Sequence, residues 1–482
     1  MDILFIDPPY TSLKGVPADC GYNVGLTSLA AYIRKAGLET GVIMGDLLME
    51  FPSVFDTWSA DQGENSVNLI TGNDEGQQSY ERIIGDKNHV VWKKLAEYIR
   101  RFNPKVVGVT YLSPARYPFE TVVRLVKEIN PEIRVVAGGP HPSFCPEQVM
   151  ENLNVDFVIG GEGEIPLLHL LREIKKGNPK LETVPGLTYR DRDGGLHRNA
   201  PGNMVANLND LPFVARDLVL NCNYDVYPVH CTSTTRGCPY NCAFCADKKM
   251  WGGKVRRRSI ENVIDEIALL KATYKIKSID FVDGTFTYDR KYLETFCQKI
   301  SASGLGVNWR CCARYDNIDE KNLNLMKQSG CTGLFFGLES GSDRILKAID
   351  KKTNVELIQA VSDMVYQSGI PSVTSIMFGI PGEDKDDMDA TLKLMRKIKT
   401  EFFDVNSYSP LPGSRLYDVA TDEDKYNIDW LKVSYKSCDN CFSKSISREE
   451  LKKYLAEARQ IANDVRNKSI HRYQAVITAS RL

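Results

Sequence analysis

Two α/β domains in series, with a small helical region behind them, are what this sequence predicts, and three observations carry that prediction. Short apolar runs alternate with amphipathic stretches over the first ~185 residues. The alternation lapses between 190 and 228, and a second alternating series then runs to Tyr417. Beyond Tyr417 the period becomes that of a capped helix. The expected boundaries are 1–189 for the first domain, 190–228 for a linker, 229–417 for the second domain and 418–482 for the C-terminal helical region.

In the first domain, Ile3 to Ile6 reads as a strand ending at Asp7, Pro8 and Pro9. Leu26 to Ala36 reads as a helix stopped by Gly37, and Glu39 to Met44 as a second strand. A helix from Val91 to Phe102 leads into a strand from Val106 to Tyr111, and a helix from Phe119 to Ile129 into a strand from Val135 to Ala137. Asp156 to Ile159 supplies a fifth strand and Ile165 to Lys175 the helix after it. Strands alternating with helices imply a doubly wound parallel sheet, which takes ligands beyond the carboxyl ends of its strands. At those ends the chain sets Pro8-Pro9, Tyr111-Leu112-Ser113-Pro114, Gly138-Gly139-Pro140-His141 and Gly160-Gly161-Glu162-Gly163-Glu164. Residues 47–90 break the rhythm with polar sequence including Trp58, and are expected to form a lid over the ligand face.

The linker carries the turn-forming run Asp191-Arg192-Asp193-Gly194-Gly195. Beyond it, strands are expected to begin near His230, Ser278, Val307, Gly333, Ser372 and Phe403, and helices near Ser259, Arg290, Asp319, Asn354 and Asp386. In the tail, Ser447 and Glu450 form a capping box opening a helix with Leu451, Tyr454, Leu455, Ala458, Ile461 and Val465 on one face.

Composition narrows the function classes. With 482 residues and 43% hydrophobic content, the chain can bury several cores. Its 61 basic and 62 acidic side chains leave a net charge of −1, so no electrostatic footprint points to nucleic acid. No run approaches the ~18 apolar residues of a membrane span. The N-terminus has no basic segment and begins as a strand, unlike a signal peptide. Thirteen clustered cysteines suit a reducing cytoplasm better than a disulfide scaffold. The expectation is a cytoplasmic enzyme with a small-molecule substrate, without nucleic acid or stable membrane insertion.

Chemistry concentrates in Arg236-Gly237-Cys238-Pro239-Tyr240-Asn241-Cys242-Ala243-Phe244-Cys245. Its CxxxCxxC spacing puts three thiolates, Cys238, Cys242 and Cys245, on one short loop. A closed zinc site or an electron-transfer cluster uses four protein ligands. A cubane iron–sulfur cluster held by three keeps one iron open for something that binds there. Cys438 and Cys441 form a lone CxxC, and Cys311, Cys312 and Cys331 lie within the second domain. Buried small hydrophobes are the commoner explanation for these.

The loop closely resembles that of the radical S-adenosylmethionine (SAM) superfamily, and the six β/α units resemble the superfamily's partial (β/α)6 barrel. The resemblance implies a [4Fe-4S] cluster on Cys238, Cys242 and Cys245. SAM would chelate the open iron and be cleaved to a 5′-deoxyadenosyl radical by a low-potential electron donor of flavodoxin or ferredoxin type. It also implies SAM contacts from Phe244 in the cluster loop, from Asp283 and Gly284 after the second strand, and from Arg314 after the third, whose guanidinium suits a carboxylate. Glu339 and Ser340 after the fourth strand and Gly379 after the fifth complete the set.

The first domain ahead of such a barrel resembles the cobalamin-binding class of that superfamily. Thr110-Tyr111-Leu112 fits the family's S/TxL element and Gly138-Gly139 its GG element. Gly161 and Glu162 fall in a loop that the family carries beside the corrin. The DxHxxG element is absent: Asp7-Pro8-Pro9-Tyr10-Thr11-Ser12 stands in its place, with Pro9 where the histidine would be. The resemblance therefore implies a base-off cobalamin whose lower face is covered by an apolar or aromatic group. Contacts are expected from Pro8, Pro9, Thr110, Leu112, Ser113, Gly138, Gly139, His141, Gly161 and Glu162. His141 lies on the wrong loop for the usual axial histidine. The implied reaction is methylation of an unactivated carbon by way of methylcobalamin, with cyclisation, rearrangement or oxidation as the alternative. Methylthiolation would need three cluster cysteines in the first domain, which has Cys20 and Cys145. Substrate and catalytic residues stay open.

Overall fold

The computed structural model describes residues 1–14, 23–49, 74–224, 231–418, 428–436 and 441–481. Residues 50–73 of the expected lid, Trp58 among them, lie outside this set, as do Cys20, His230 and Cys438. The chain divides into two compact units, Met1–Val229 and His230–Leu482.

The first unit is built on strands β1 (Ile3–Asp7), β2 (Thr40–Met44), β3 (Val106–Thr110), β4 (Arg134–Gly138), β5 (Phe157–Ile159), β6 (Leu187–Arg190) and β7 (Leu196–Arg198). Their order is β2-β1-β3-β4-β5-β6-β7. The five that open the chain run parallel. Ile3, Leu4, Phe5 and Ile6 of β1 are all buried, as a strand covered on both faces requires. The order reverses direction between β1 and β3, and at such a switch point the strand ends leave a ligand crevice.

Two expectations need correction here. Residues 190–228 were to be a linker, yet β6 and β7 add to the sheet as an antiparallel hairpin. Asp191 makes its turn, its Oδ1 accepting from the Asp193 and Gly195 amides at 3.0 and 2.8 Å. Farther on, the Leu220 amide donates to Val42 at 2.9 Å, and Asn221 bonds both backbone groups of Met44. The polar insertion is also partly helical: Asp74–Gly85 is an α-helix that buries Tyr80 and Ile83.

The second unit carries a six-stranded, all-parallel sheet: β8 (Cys231–Thr232), β11 (Ser278–Phe281), β12 (Asn308–Ala313), β13 (Cys331–Glu339), β14 (Ser372–Phe378) and β15 (Phe402–Ser407). The order is sequential, β15-β14-β13-β12-β11-β8, and among the described residues β15 and β8 are not paired with each other, which makes an open partial barrel. A short ribbon of β9 (Thr235–Arg236) and β10 (Arg256–Arg257) frames the cysteine loop. The connecting helices begin at or within two residues of the expected starts, and their caps Ser259, Asp289, Asp319, Asn354 and Asp384 each accept a backbone N–H of the first turn. Phe281, Phe286, Phe296 and Trp309 pack ring on ring between sheet and helix. The last helix, Arg448–Arg481, opens on the reciprocal Ser447–Glu450 box. It buries Leu451, Leu455 and Ala458 and packs against β15.

Candidate functional site

In the second unit the cysteine loop starts at Gly237, whose φ is +102°. A Cβ there would stand 2.2 Å from the Lys254 carbonyl oxygen, so only glycine fits. Cys238 is half-buried, its Sγ 3.7 Å from Thr285 Oγ1. Gly284 lies beside it, and a Cβ on that glycine would touch Cys238 Cβ at 3.5 Å. Cys242 Sγ receives Arg314 Nη1 at 3.7 Å, and Cys245 Sγ receives the Asp247 amide at 3.5 Å. Burial raises the Cys238 thiol pKa and pushes that of Cys245 up to about 11, so both give up protons on binding iron. No trio of Cys, His, Asp or Glu among the described residues is placed to hold a single metal ion. Three thiolates on one loop, each serving a different iron, fit a polynuclear cluster.

Apart from Phe244 in the cysteine loop, the residues expected around SAM lie at the carboxyl ends of β11 to β14, but several are committed to the protein. Both oxygens of buried Asp283 accept from Thr234 and Thr235, whose amides and hydroxyls all donate at 2.6 to 3.2 Å. Burial raises its pKa against those bonds. Asp283 thus braces the turn from β8 into the cysteine loop. Arg314 spends its fork on Asp316, at 2.8 and 3.0 Å, and donates to the Lys351 carbonyl. Its guanidinium also lies 3.7 Å from the Tyr240 ring centroid. The fork expected to meet a methionine carboxylate is closed here, and its remaining reach is towards Cys242.

Glu339 ends β13 at φ +71°, a left-handed conformation uncommon for a side-chain-bearing residue. Its Oε1 accepts from the buried Lys351 ammonium at 2.7 Å. That ammonium is 5.7 Å from the ring centroid of Phe244, between two of the cluster cysteines. Ser340 is buried against Thr391, and Gly379 begins a turn clamped by Glu383 Oε2, which accepts from the Gly379 and Ile380 amides at 2.7 and 3.1 Å. Burial pushes the Glu383 carboxyl up to about 8.

Sequence reasoning missed Lys351 and Asp247, for which no motif or spacing gave a signal. Asp247 Oδ1 accepts from Trp251 Nε1 at 2.9 Å, whereas its buried Oδ2 has no hydrogen-bond partner among the described residues. That oxygen would lie 3.6 Å from a Cβ on Gly284. An orphaned carboxylate oxygen beside the cysteine loop suits a cationic group such as an amino-acid ammonium.

In the first unit, the candidate residues sit at the carboxyl ends of β1, β3, β4 and β5. Pro8 and Pro9 turn inward and are buried. Gly139 has φ +99°, and a Cβ there would meet Thr110 Oγ1 at 2.9 Å and the Tyr111 backbone nitrogen at 3.2 Å, so the turn after β4 packs closely on the turn after β3. Tyr111 is stacked between Phe119 and His141, with centroids 4.4 and 4.3 Å away. His141 is buried, Nδ1 to Ser113 Oγ at 2.8 Å and Nε2 to Gln148 Oε1 at 3.0 Å. Burial lowers its pKa to about 4, so it is neutral, with both nitrogens occupied. Leu112 is the exception to this inward packing, at 50% exposure. Gly161 donates to Ser143 Oγ at 2.9 Å with open space where a Cβ would be, and Glu162 accepts from the Val205 amide at 2.7 Å. Exposed Leu112 on the turn after β3 and open glycine backbone at Gly161 on the turn after β5, with the His141 imidazole engaged at both nitrogens, fit a flat corrin without histidine ligation.

The barrel and the three-thiolate loop define an iron–sulfur enzyme of the radical SAM class. Comparison with known proteins extends this. The profile of the Radical SAM superfamily matches residues 232–395, and that of the B12 binding domain matches residues 75–171. The chain is 30% identical, over 95% of its length and 91% of the other's, to a Pyrococcus horikoshii protein named "Uncharacterized methyltransferase PH0819". It is 28% identical to the anaerobic magnesium-protoporphyrin IX monomethyl ester cyclase of Rubrivivax gelatinosus, over 70% of this chain and 63% of that one. Among solved structures, TsrM from Kitasatospora setae, a radical SAM methyltransferase with cobalamin and [4Fe-4S] cluster bound, shares the fold. The TM-score is 0.63 at 16% identity, covering 88% of this chain and 78% of that one. The chain belongs to the radical SAM superfamily, among the members that carry a B12-binding domain ahead of the radical SAM domain. It is a cobalamin-dependent radical SAM enzyme, and its cofactors are a [4Fe-4S] cluster, SAM and cobalamin. No helix among the described residues is long and apolar enough to cross a membrane.

Proposed function

We propose that this enzyme methylates an unactivated carbon of a small molecule. The observation that carries the reading is the 30% identity to a protein named as a methyltransferase, which runs along 95% of this chain. When bound, the cluster with SAM supplies a carbon-centred radical and the corrinoid supplies a methyl group. The chain's own residues then position and shield. Cys238, Cys242 and Cys245 hold the cluster, Arg314 steadies Cys242, and Asp283 braces the loop from below. Phe244, Gly284, Glu339, Ser340 and Gly379 line the SAM side, and Asp247 Oδ2 offers the amino group an acceptor. Thr110, Leu112, Ser113, Gly138, Gly139, Gly161 and Glu162 form the cobalamin side. Buried Pro8 and Pro9 shape its loop, and His141 supports Ser113 rather than cobalt. A flavodoxin or ferredoxin would deliver the electron, in the cytoplasm.

A second reading, radical cyclisation or oxidation without net methyl transfer, is favoured by the 28% identity to the Rubrivivax cyclase. The two separate in an anaerobic incubation of reconstituted enzyme with SAM, hydroxocobalamin and a low-potential reductant. Formation of both 5′-deoxyadenosine and S-adenosylhomocysteine is expected for methylation. Retained corrin with 5′-deoxyadenosine alone would replace it by the second reading.

A further inference from the structure

The cysteine loop and the ribbon that frames it carry a charge pattern that holding a cluster does not require. Residues 236–258 hold seven basic side chains against one carboxylate, Asp247, in a chain whose net charge is −1. Three of the seven are paired locally: Arg257 with Asp289 at 2.5 Å, Arg258 with Glu266 at 2.6 Å and Lys249 with Asp418 at 3.1 Å. Lys248 and Lys254 are exposed, and among the described residues neither ammonium has an ion-pair partner. The turn between them is fixed by the Gly253 amide, which donates to the Lys248 carbonyl at 2.7 Å. The remaining two, Arg236 and Arg256, stand directly opposite each other in the β9–β10 ribbon. Like charges so placed destabilise a strand pair. Their guanidinium carbons lie 5.8 and 5.7 Å from the ring centroid of half-buried Trp251.

The second observation is the link from this ring to the cluster. Trp251 Nε1 donates to Asp247 Oδ1 at 2.9 Å, and the Asp247 amide donates to Cys245 Sγ at 3.5 Å. A Cβ on Gly237 would lie 3.3 Å from Trp251 Cβ, so the tryptophan also packs on the start of the cysteine loop. Two hydrogen bonds through one residue thus join an aromatic ring among cations to a cluster cysteine.

Electron transfer weakens steeply with distance, so a protein donor has to seat on surface close to the cluster. We propose that Lys248, Lys254, Arg236, Arg256 and Trp251 form the docking surface for an acidic electron-carrier protein of flavodoxin or ferredoxin type. Positive side chains steer a negatively charged partner to the right face. Tryptophan and arginine are the residue types that most often dominate interface energies. Electron-transfer encounters are small and transient, so a patch of this extent is sufficient. In each encounter the carrier is oxidised by one electron, the cluster on Cys238, Cys242 and Cys245 is reduced by one, and no proton is transferred. The proposal rests on such a carrier being the electron donor, and the choice between methylation and cyclisation does not enter it.

The test mixes pre-reduced flavodoxin anaerobically with the full-length, cluster-reconstituted protein and follows flavin oxidation by stopped-flow absorbance. The wild-type rate is expected to fall steeply with added salt. Lys248→Glu/Lys254→Glu should slow the reaction about tenfold at low salt and flatten the salt dependence. Lys248→Gln/Lys254→Gln should fall between the two. All three proteins should keep the same iron content and form 5′-deoxyadenosine equally with titanium(III) citrate, because a small reductant needs no docking surface. A wild-type rate and salt dependence in the charge-reversed protein, or a slowing that titanium(III) citrate shares, would overturn the proposal. So would a wild type that takes no electrons from flavodoxin. Transfer RNA bound through the two lysines, with the flavodoxin rate untouched in the variants, would assign this face to nucleic acid instead.

Discussion

Lys351 donates to Glu339 Oε1 at 2.7 Å, with side chains only 8% and 10% exposed, and Glu339 holds a φ of +71° at the end of β13. The strained residue and its cation are one unit. Gly337 leaves them room, since a Cβ there would stand 2.7 Å from Lys351 Nζ. Lys351 also reaches the cluster loop, directly through its ammonium over Phe244 and indirectly through its carbonyl, which accepts from the Arg314 that donates to Cys242.

Breaking such a pair leaves a buried charge uncompensated, which costs roughly 3–5 kcal/mol. Lys351→Met is therefore expected to unfold at lower denaturant and to cleave SAM slowly. The double variant Glu339→Gln/Lys351→Met should recover stability without recovering 5′-deoxyadenosine formation. Recovery of both would show that the pair serves the fold alone.

Arg314 predicts a different failure. Lys in its place keeps a charge but cannot hold Asp316 through two parallel bonds while reaching Cys242. Arg314→Lys should fold normally and retain several-fold less iron after desalting. Wild-type iron content in that variant would contradict the link between Arg314 and Cys242.

Glu383 makes stability depend on pH with a definite sign. Its folded-state pKa of about 8 lies above the ordinary carboxylate value, so the folded chain holds a proton that the unfolded chain gives up. The stabilisation is complete below the unfolded pKa and is lost as pH rises through about 8, with a slope of up to ~1.4 kcal/mol per pH unit in between. Glu383→Gln should flatten that part of the urea-midpoint profile. Identical profiles for the two proteins would rule Glu383 out as the cause.

His141 has both ring nitrogens engaged and a pKa lowered to about 4. Its neutral form stabilises the fold above the unfolded histidine pKa, and that stabilisation is lost as pH falls through about 4. The paramagnetic resonance spectrum of cob(II)alamin on the protein should show no histidine nitrogen coupling and should be the same in His141→Gln. Nitrogen coupling that disappears in that variant would make His141 the axial ligand.

Much of the fold was legible because local chemistry announces it. Helix starts at Ser259 and Asn354, the Ser447–Glu450 box and the glycine stop at Gly37 mark helix ends whatever the surroundings. The β6–β7 hairpin was not legible, because strands as short as Leu196–Arg198 show no period, and the Asp191 turn reads equally as a linker. In the site, the three cysteines stood out because a fixed spacing on one loop is a local signal. The partners of Arg314 and Lys351 could not be read, since they depend on which strand ends the sheet brings side by side. The proton on Glu383 likewise comes from burial, which a Gly-Pro turn motif does not encode.

The central claim is that one chain holds an iron–sulfur cluster through three cysteines and cobalamin through a separate unit. The most direct measurement is metal content after anaerobic reconstitution and desalting, in wild type and in Cys238→Ala/Cys242→Ala/Cys245→Ala. Wild type is predicted to keep about four iron atoms and about one cobalt per chain, and the triple variant to lose the iron and keep the corrin. Iron retained by the triple variant, or a wild-type protein that sheds its corrin, would contradict the account.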